Sequence, residues 1–433
     1  MFDRRLAAVV VSCLAAGTAL AQAPAPAKGQ QQVVKPPVAQ AWLDVATYTG
    51  MGMPGMGMGG GNPMGMLSGM MGGGQGGKNT FGNTQIGPAG RWMDVTLHTS
   101  RNPGLQEAAQ AVPQGTLLAP SLKLVAPKEQ KAPPPPPGDE TVTPHEYERP
   151  KGKMYIYWGC SETVRPGQPR VLDMATAAPA DFQQFFAGRR ATQRGAHSAV
   201  GRPQWPNLED ARLVPDGSSL VGEHAFTGQG VPDGFRFSLP AAQDIMPAIA
   251  LTQRNADGAT QLDWAALPTA RAYFIAAMGA RGENEMVFWS SSDVPETGMG
   301  LVDYQTNAAV DRWLKEKVLL EPGTTHCAVP SGALGEGAML RMIAYGSELN
   351  LVHPPRPADP RTPWEQQWAA KVRVKSVTTA LLGMDMPGTS RGSSRGSSRP
   401  PPDDATPRST APEPKKPGEP VNPVDVLRGI LKF

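Results

Sequence analysis

Runs of apolar residues at alternate positions recur along most of this chain, the period of a strand that buries one face. Two of them are near-copies. Trp42-Leu43-Asp44-Val45 returns as Trp92-Met93-Asp94-Val95, with Thr47 and Thr96 a few positions on. Leu43 and Val45 in one copy, and Met93, Val95 and Leu97 in the other, take alternate places, so the repeat predicts two strands of one small sheet. Leu117 to Val125 adds a short strand. Met154-Tyr155-Ile156-Tyr157-Trp158 is an unbroken aromatic and β-branched run, the strongest strand signal in the chain. It leads through Gly159-Cys160 and the turn Arg165-Pro166-Gly167 to a strand near Val171-Leu172.

From Leu220 onward the alternation predicts strands at Leu220-His224, Gly234-Leu239, Ala248-Thr252, Gln261-Trp264, Ala272-Ala277, Met286-Ser290, Thr325-Val329 and Leu340-Tyr345. Turn signals such as Pro215-Asp216-Gly217 and Ala256-Asp257-Gly258 separate several of them, the spacing of a sandwich. The period changes once. Val310, Trp313, Leu314 and Val318 fall at helical spacing between Ala308 and Leu319, with Asn307 as N-cap. Asp181 to Phe186 adds a helical turn. Trp364 to Ser376 reads as a short helix or strand that packs back on the domain. The fold class is therefore mainly β: two sandwich-like parts with one inserted helix, a Gly/Met-rich loop and a disordered tail.

Between these elements lie segments with no period. Residues 1–21 begin with Arg4-Arg5 after Asp3, continue as an uncharged run from Leu6 to Leu20, and end in Ala19-Leu20-Ala21, the order of a secretory signal peptide. An alternative reading takes Val10-Val11-Ser12-Cys13 as a lipobox, which would make Cys13 the lipidated first residue. Residues 22–37 are a flexible leader, and 38–125 a small β region interrupted by the Gly/Met stretch 51–78. A Pro-rich linker covers 126–151 and includes five consecutive prolines from Pro133. A hairpin segment covers 152–186, a second linker 187–206, an immunoglobulin-like domain 207–350 and a C-terminal extension 351–386. The tail 387–422 carries Arg-Gly-Ser-Ser twice and many prolines. It leads to 423–433, where Val426, Leu427, Ile430 and Leu431 share one side of a short amphipathic helix that folds back on its own domain or frays, or else docks on a partner or a membrane surface.

Composition narrows the function classes. The 433 residues hold 49 Gly and 46 Pro, so a sizeable share is loop or linker, and the net charge of +3 with no basic–aromatic run gives no reason to expect a nucleic-acid partner. Beyond the N-terminal run no stretch reaches the ~18 apolar residues of a spanning helix. The chain is thus expected to be exported, periplasmic or secreted, with no transmembrane helix once the signal is removed. Of three cysteines, Cys160 and Cys327 lie outside the signal. In an oxidising compartment they form a disulfide, or else they are two separate buried thiols.

Leu262-Asp263-Trp264, Tyr273, Leu320, Pro322-Gly323-Thr324 and Ala344 together resemble a fibronectin type III domain over residues 258–346, with Cys327 where that family has a core Tyr. The resemblance implies an immunoglobulin-like sandwich and no chemistry. Tyr157 to Cys160 and Trp289 to Ser292 are similar to strands of an uncharacterised group of exported bacterial proteins, which brings no activity.

Candidate chemistry is sparse. Met51, Met53, Met56, Met58, Met64, Met66, Met70 and Met71 place eight soft thioethers in one Gly-rich stretch, a donor set that suits Cu(I). The stretch resembles the copper-handling segments of periplasmic copper-resistance proteins. A Gly-rich loop that has drifted into Met, or one that serves as an oxidant sink, is the alternative. His98, His145, His197, His224, His326 and His353 form no paired zinc motif. Ser290 to Ser292 lack the nucleophile elbow and read as a strand end running into a turn. Asp44 and Asp94 are the repeated carboxylates, which could pair across a sheet as a cation site but are expected on a solvated face or as turn partners. The chain therefore reads as a non-catalytic structural or interaction protein of the cell envelope or periplasm. The alternatives are Cu(I) binding by the Met stretch and a cell-wall or carbohydrate-active enzyme, which needs a cleft with convergent carboxylates.

Overall fold

A computed structural model describes residues 32–50, 78–129, 151–190, 195–282 and 284–383. The fold is mainly β. In chain order its strands are β1 (Val34–Lys35), β2 (Ala39–Gly50), β3 (Gly90–Thr99), β4 (Glu107–Ala111), β5 (Ser121–Val125), β6 (Lys153–Trp158), β7 (Arg170–Asp173), β8 (Gln204–Trp205), β9 (Gly222–Gly228) and β10 (Arg236–Leu239). They continue as β11 (Thr252–Ala256), β12 (Ala259–Asp263), β13 (Ala272–Ala280), β14 (Glu285–Ser290), β15 (His326–Val329), β16 (Met339–Tyr345), β17 (Leu349–His353), β18 (Trp364–Glu365) and β19 (Trp368–Leu381). Two α-helices, α1 (Pro179–Phe185) and α2 (Asn307–Lys315), and two 3-10 turns, Gln114–Thr116 and Ala241–Gln243, complete the described elements.

One sheet dominates, in the order β10-β9-β4-β5-β8-β3-β2-β19-β16-β13-β14-β6-β7, with β17 also paired to β19. The two near-copies of the sequence repeat, β2 and β3, are antiparallel neighbours that set Leu43 opposite Val95, Asp44 opposite Asp94 and Val45 opposite Met93. On its other side β2 pairs in parallel with β19 over twelve residue pairs, from Ala39 with Trp368 to Gly50 with Thr379. The segments read as separate units, 38–125, 152–186 and 207–350, thus lend strands to a single sheet. The extension 351–386 supplies a strand near the middle of it. Ladder hydrogen bonds join elements that composition alone had set apart.

Alternation then sorts side chains between two cores. One face of the sheet turns Leu43, Val45, Met93, Val95, Leu97, Val372 and Val374 toward the three-stranded sheet β11-β12-β15, whose Leu262, Cys327 and Val329 share that core. The opposite face carries Ala46, Tyr48, Trp92 and Val377 against Ala309, Val310 and Trp313 of α2. Cys160, just past β6, is disulfide-bonded to Cys327 on β15, which ties the small sheet to the large one across 167 residues of sequence.

Three local expectations are corrected. The linker 187–206 ends in β8, which bonds to both β3 and β5, and the Trp205 side chain is fully buried. Pro and Gly around a two-residue strand hid a core anchor. Ala248 to Thr252 is not a strand, because the pairing with β12 starts at Thr252 and runs to Ala256. The cap of α2 is Thr306, one residue earlier than expected: its hydroxyl accepts a 3.2 Å hydrogen bond from the Ala309 N–H.

Replacing Trp205 with Ala should lower the unfolding free energy by about 3–5 kcal/mol, the range for emptying a buried aromatic site. Chemical denaturation measures it, and a change within experimental error would return 187–206 to the status of a linker.

Candidate functional site

The face of the sheet that carries the α2 core changes character toward one end. In the register of β3, β2 and β19, Trp92, Ala46 and Lys375 form one cross-sheet row, Asp94, Asp44 and Arg373 the next, and Thr96, Trp42 and Lys371 the third. Each residue stands two positions from the one before on its own strand, so all nine share a face. Charges therefore occupy places that the apolar pattern of the same strands would fill with aliphatics. They are also buried: Asp44 and Lys375 are 1% exposed, Asp94 2% and Arg373 6%.

Burial of a charge is tolerated when it is paired and hydrogen-bonded, and each of the three cations on β19 has a carboxylate. Arg373 grips Asp44 in a fork, with Nε 2.7 Å from Oδ1 and Nη2 2.5 Å from Oδ2. The Ala196 N–H donates to the same Oδ2 at 3.0 Å. Lys375 Nζ donates to Asp303 Oδ1 at 2.7 Å, and Lys371 Nζ lies 3.1 Å from Glu348 Oε2. The Tyr304 ring backs two of the cations, with its centroid 4.3 Å from Arg373 Cζ and 4.1 Å from Lys375 Nζ. Burial works against the charge on Arg373, but the charge and hydrogen bonds of Asp44 outweigh it and hold the guanidinium pKa above its ordinary value. Burial likewise raises the Asp303 carboxyl, and Lys375 more than reverses that, leaving its pKa below the usual carboxylate range.

Asp94 is the exception in the row. It accepts from Thr84 Oγ1 at 2.5 Å and from the Gly82 N–H at 3.0 Å, both on Oδ2, while Oδ1 is buried without a partner. No cation among the described residues reaches it. Desolvation pushes its pKa up to about 7, against the lowering by Thr84 and Gly82 and with a further rise from the Asp44 charge. The expectation of a solvated face for Asp44 and Asp94 is thereby corrected: they do face each other across the sheet, in its interior, and one of them is neutral through most of the acidic range.

Beside this row opens a cleft of about 470 Å³. Arg373, Lys371 and Trp42 lie on its sheet side, Gln40 and Gln85 add amides, and Gly195, Ala196 and His197 cross over it. At the rim the Arg202 guanidinium stacks 4.7 Å above the Trp42 ring and places Nη1 3.0 Å from His197 Nδ1. His98, the register partner of Gln40, belongs to the same group: burial lowers its pKa first, and the charges of Arg202 and His197 lower it further. Gly195 is a steric requirement. A β-carbon there would sit 1.7 Å from Arg373 Nη2 and 2.4 Å from Asp44 Oδ2, so only glycine lets the chain pass over the ion pair.

The other residues singled out from sequence are placed as follows. The eight methionines Met51 to Met71, Cys13 and His145 lie outside the described residues. Ser290, Ser291 and Ser292 are buried at the end of β14, where the Ser290 hydroxyl donates to the Glu296 carbonyl and Ser291 Oγ accepts from the Ile275 N–H. His326 contacts Asp263 at 2.7 Å on the surface, while its neighbour Cys327 turns inward to the disulfide. His224 is buried between Gln110 and the Leu220 carbonyl. Among the described residues no three His, Cys, Asp or Glu side chains are grouped to hold a metal ion, and no helix is long and apolar enough to cross a membrane. Arg373, Lys375, Asp303, Tyr304 and Gly195 had not been singled out. Of these, Arg373 and Lys375 alone carry a local signal, the alternation Val372-Arg373-Val374-Lys375, charge at every second place in a strand.

No protein-family model matches this sequence, and no curated protein is significantly similar to it.

Gly195→Ala should cost about 3–5 kcal/mol in unfolding free energy, the range for parting a buried ion pair; denaturation curves measure it, and wild-type stability would show that the crossing chain yields instead. Asp94 gives a pH-dependent expectation. Because its folded pKa is raised, its contribution is fully present below the unfolded value near 4 and is lost as pH rises toward about 7. Asp94→Asn keeps an oxygen for Thr84 and cannot ionise, so its advantage over wild type should grow from pH 4 to pH 7.5 by on the order of 4 kcal/mol, at about 1.4 kcal/mol per pH unit. Parallel pH profiles for the two proteins would assign the titration elsewhere.

Proposed function

We propose that this chain is an exported, non-catalytic binding protein of the periplasm or cell envelope, and that its ligand seats in the cleft beside Trp42 and Arg373. The reading is carried by one observation: the sheet side of the cleft is a row of fixed polar side chains on adjacent strands, already paired and packed before any ligand arrives. Small-molecule sites are concave and largely pre-formed, with a few polar groups fixed on rigid elements, and a volume of about 470 Å³ is within their range. The carboxylates nearest the cleft, Asp44 and Asp303, are each committed to a cation, an arrangement for holding the site and not for exchanging protons. Export is supported by the signal-like order of the first twenty-one residues and by the Cys160–Cys327 disulfide, a bond that persists in oxidising compartments.

The test is a thermal-shift screen of the purified chain against a panel of polar metabolites and cell-wall fragments, with each hit recovered and weighed by mass spectrometry. One chemical class should raise the melting temperature, be recovered unaltered, and lose its effect in Trp42→Ala. Chemical conversion of a hit would make the protein an enzyme, and a shift that Trp42→Ala leaves intact would move the site away from the cleft.

A further inference from the structure

Resting on the cleft as a ligand site, the question is what charge it is built to meet. The three cations of β19 are matched by three carboxylates, Glu348, Asp44 and Asp303, so the sheet side is close to neutral. The rim is not. Arg202 has no carboxylate partner among the described residues; it lies on Trp42 and against His197, and burial alone is what lowers its pKa. Arg202 is therefore a partly buried cation that rests on a ring and an imidazole, with no carboxylate beside it among the described residues.

The same sign appears at the bottom. Arg373 spends Nε and Nη2 on Asp44, and its third nitrogen, Nη1, donates to no acceptor among the described residues while the side chain lines the cleft. A guanidinium fixed on one edge by a carboxylate and free on the other is a rigid donor for a second oxyanion, because the first pair holds it in place. The Gln40 and Gln85 amides add neutral hydrogen-bonding groups, and the cleft is several times larger than a bare inorganic anion needs.

From this geometry we infer that the cleft is a receptor for a small organic oxyanion, a carboxylate or a phosphate ester. Arg373 Nη1 is its inner anchor, Arg202 and His197 are its outer clamp, and the amides of Gln40 and Gln85 contact its uncharged body. Carboxylates and phosphate esters present the same paired oxygens to a guanidinium, and the experiment separates them.

Isothermal titration calorimetry of the purified chain with succinate, glycerol 3-phosphate and glycerol tests the inference. The expected result is a Kd of about 1 mM or tighter for one or both anions and no heat from glycerol. The anion that binds identifies the head group. Arg202→Gln, which breaks no ion pair, and Gln40→Glu, which places a like charge in the cleft, should each weaken that Kd by about tenfold or more. Anion binding that both variants leave unchanged overturns the inference. So does the failure of both anions to bind at about 10 mM. Binding of glycerol alone, lost in Trp42→Ala, would overturn the anion while leaving the cleft as a ligand site. Loss of every ligand in the wider metabolite screen would remove the site itself.

Discussion

Asp44 and Arg373 are 329 residues apart in sequence and meet as register partners on adjacent strands. Their ion pair lies where β2 and β19 run side by side, and the rest of the molecule is arranged around that junction. To one side the sheet continues through β3 to β10, to the other through β16 to β7. An arginine at that position without its carboxylate would leave a desolvated charge in the interior. The strands on either side are apolar enough to collapse in more than one register, since a slip of two residues keeps every aliphatic on its proper face. The same slip would separate Arg373 from Asp44 and Lys375 from its place beside Tyr304 and Asp303. Charge, in this sheet, specifies what hydrophobicity leaves degenerate.

The cleft inherits its properties from that arrangement. Because the charges on its sheet side compensate one another, the groups left over are Arg202, which has no carboxylate partner among the described residues, two histidines, and one edge of a guanidinium. Asp94 adds a reserve of a different kind. It is a buried acid that no cation among the described residues reaches, one bond away from full satisfaction, in the row that fixes the register.

Much of the strand content was legible in the sequence, and the reason is local. Strands are written locally, as alternation where one face is buried and as unbroken apolar runs where both are, and β6, β13, β14 and β16 match the sequence reading to within a few residues at their ends. The repeated Trp-x-Asp-Val words pointed to β2 and β3 as partners. What local pattern did not reveal was that 364–381 supplies a central strand. Lys371-Val372-Arg373-Val374-Lys375 has the alternation of a strand with one wet face, and nothing nearby in sequence indicates that the wet face is covered. The acids that make burial tolerable come from residues 44, 303 and 348. For the same reason Asp44 and Asp94 stood out as a pair while their setting was misjudged. Gly195 and Trp205 sit in a stretch whose Pro and Gly suggest a boundary. Their importance comes entirely from what the chain touches there, an ion pair in one case and the main core in the other.

The parallel seam between β2 and β19 also sets an order of events. β13 and β14 are joined across residues 281–284, while β2 and β3 are separated by residues 51–89 and β14 and β16 by residues 291–338, all nearer in sequence than β2 is to β19, so each half of the sheet can form as a ribbon before that seam. The two ribbons have no way to join until residues 368–381 arrive, and the loop that must then close is among the longest in the chain. Until that moment β2 and β16 each present an unpaired edge to any strand of matching pattern. The nearest match is the β19 of another copy of the same protein. The seam that completes the sheet is thus the one place where the geometry of closing on itself is also the geometry of strand exchange.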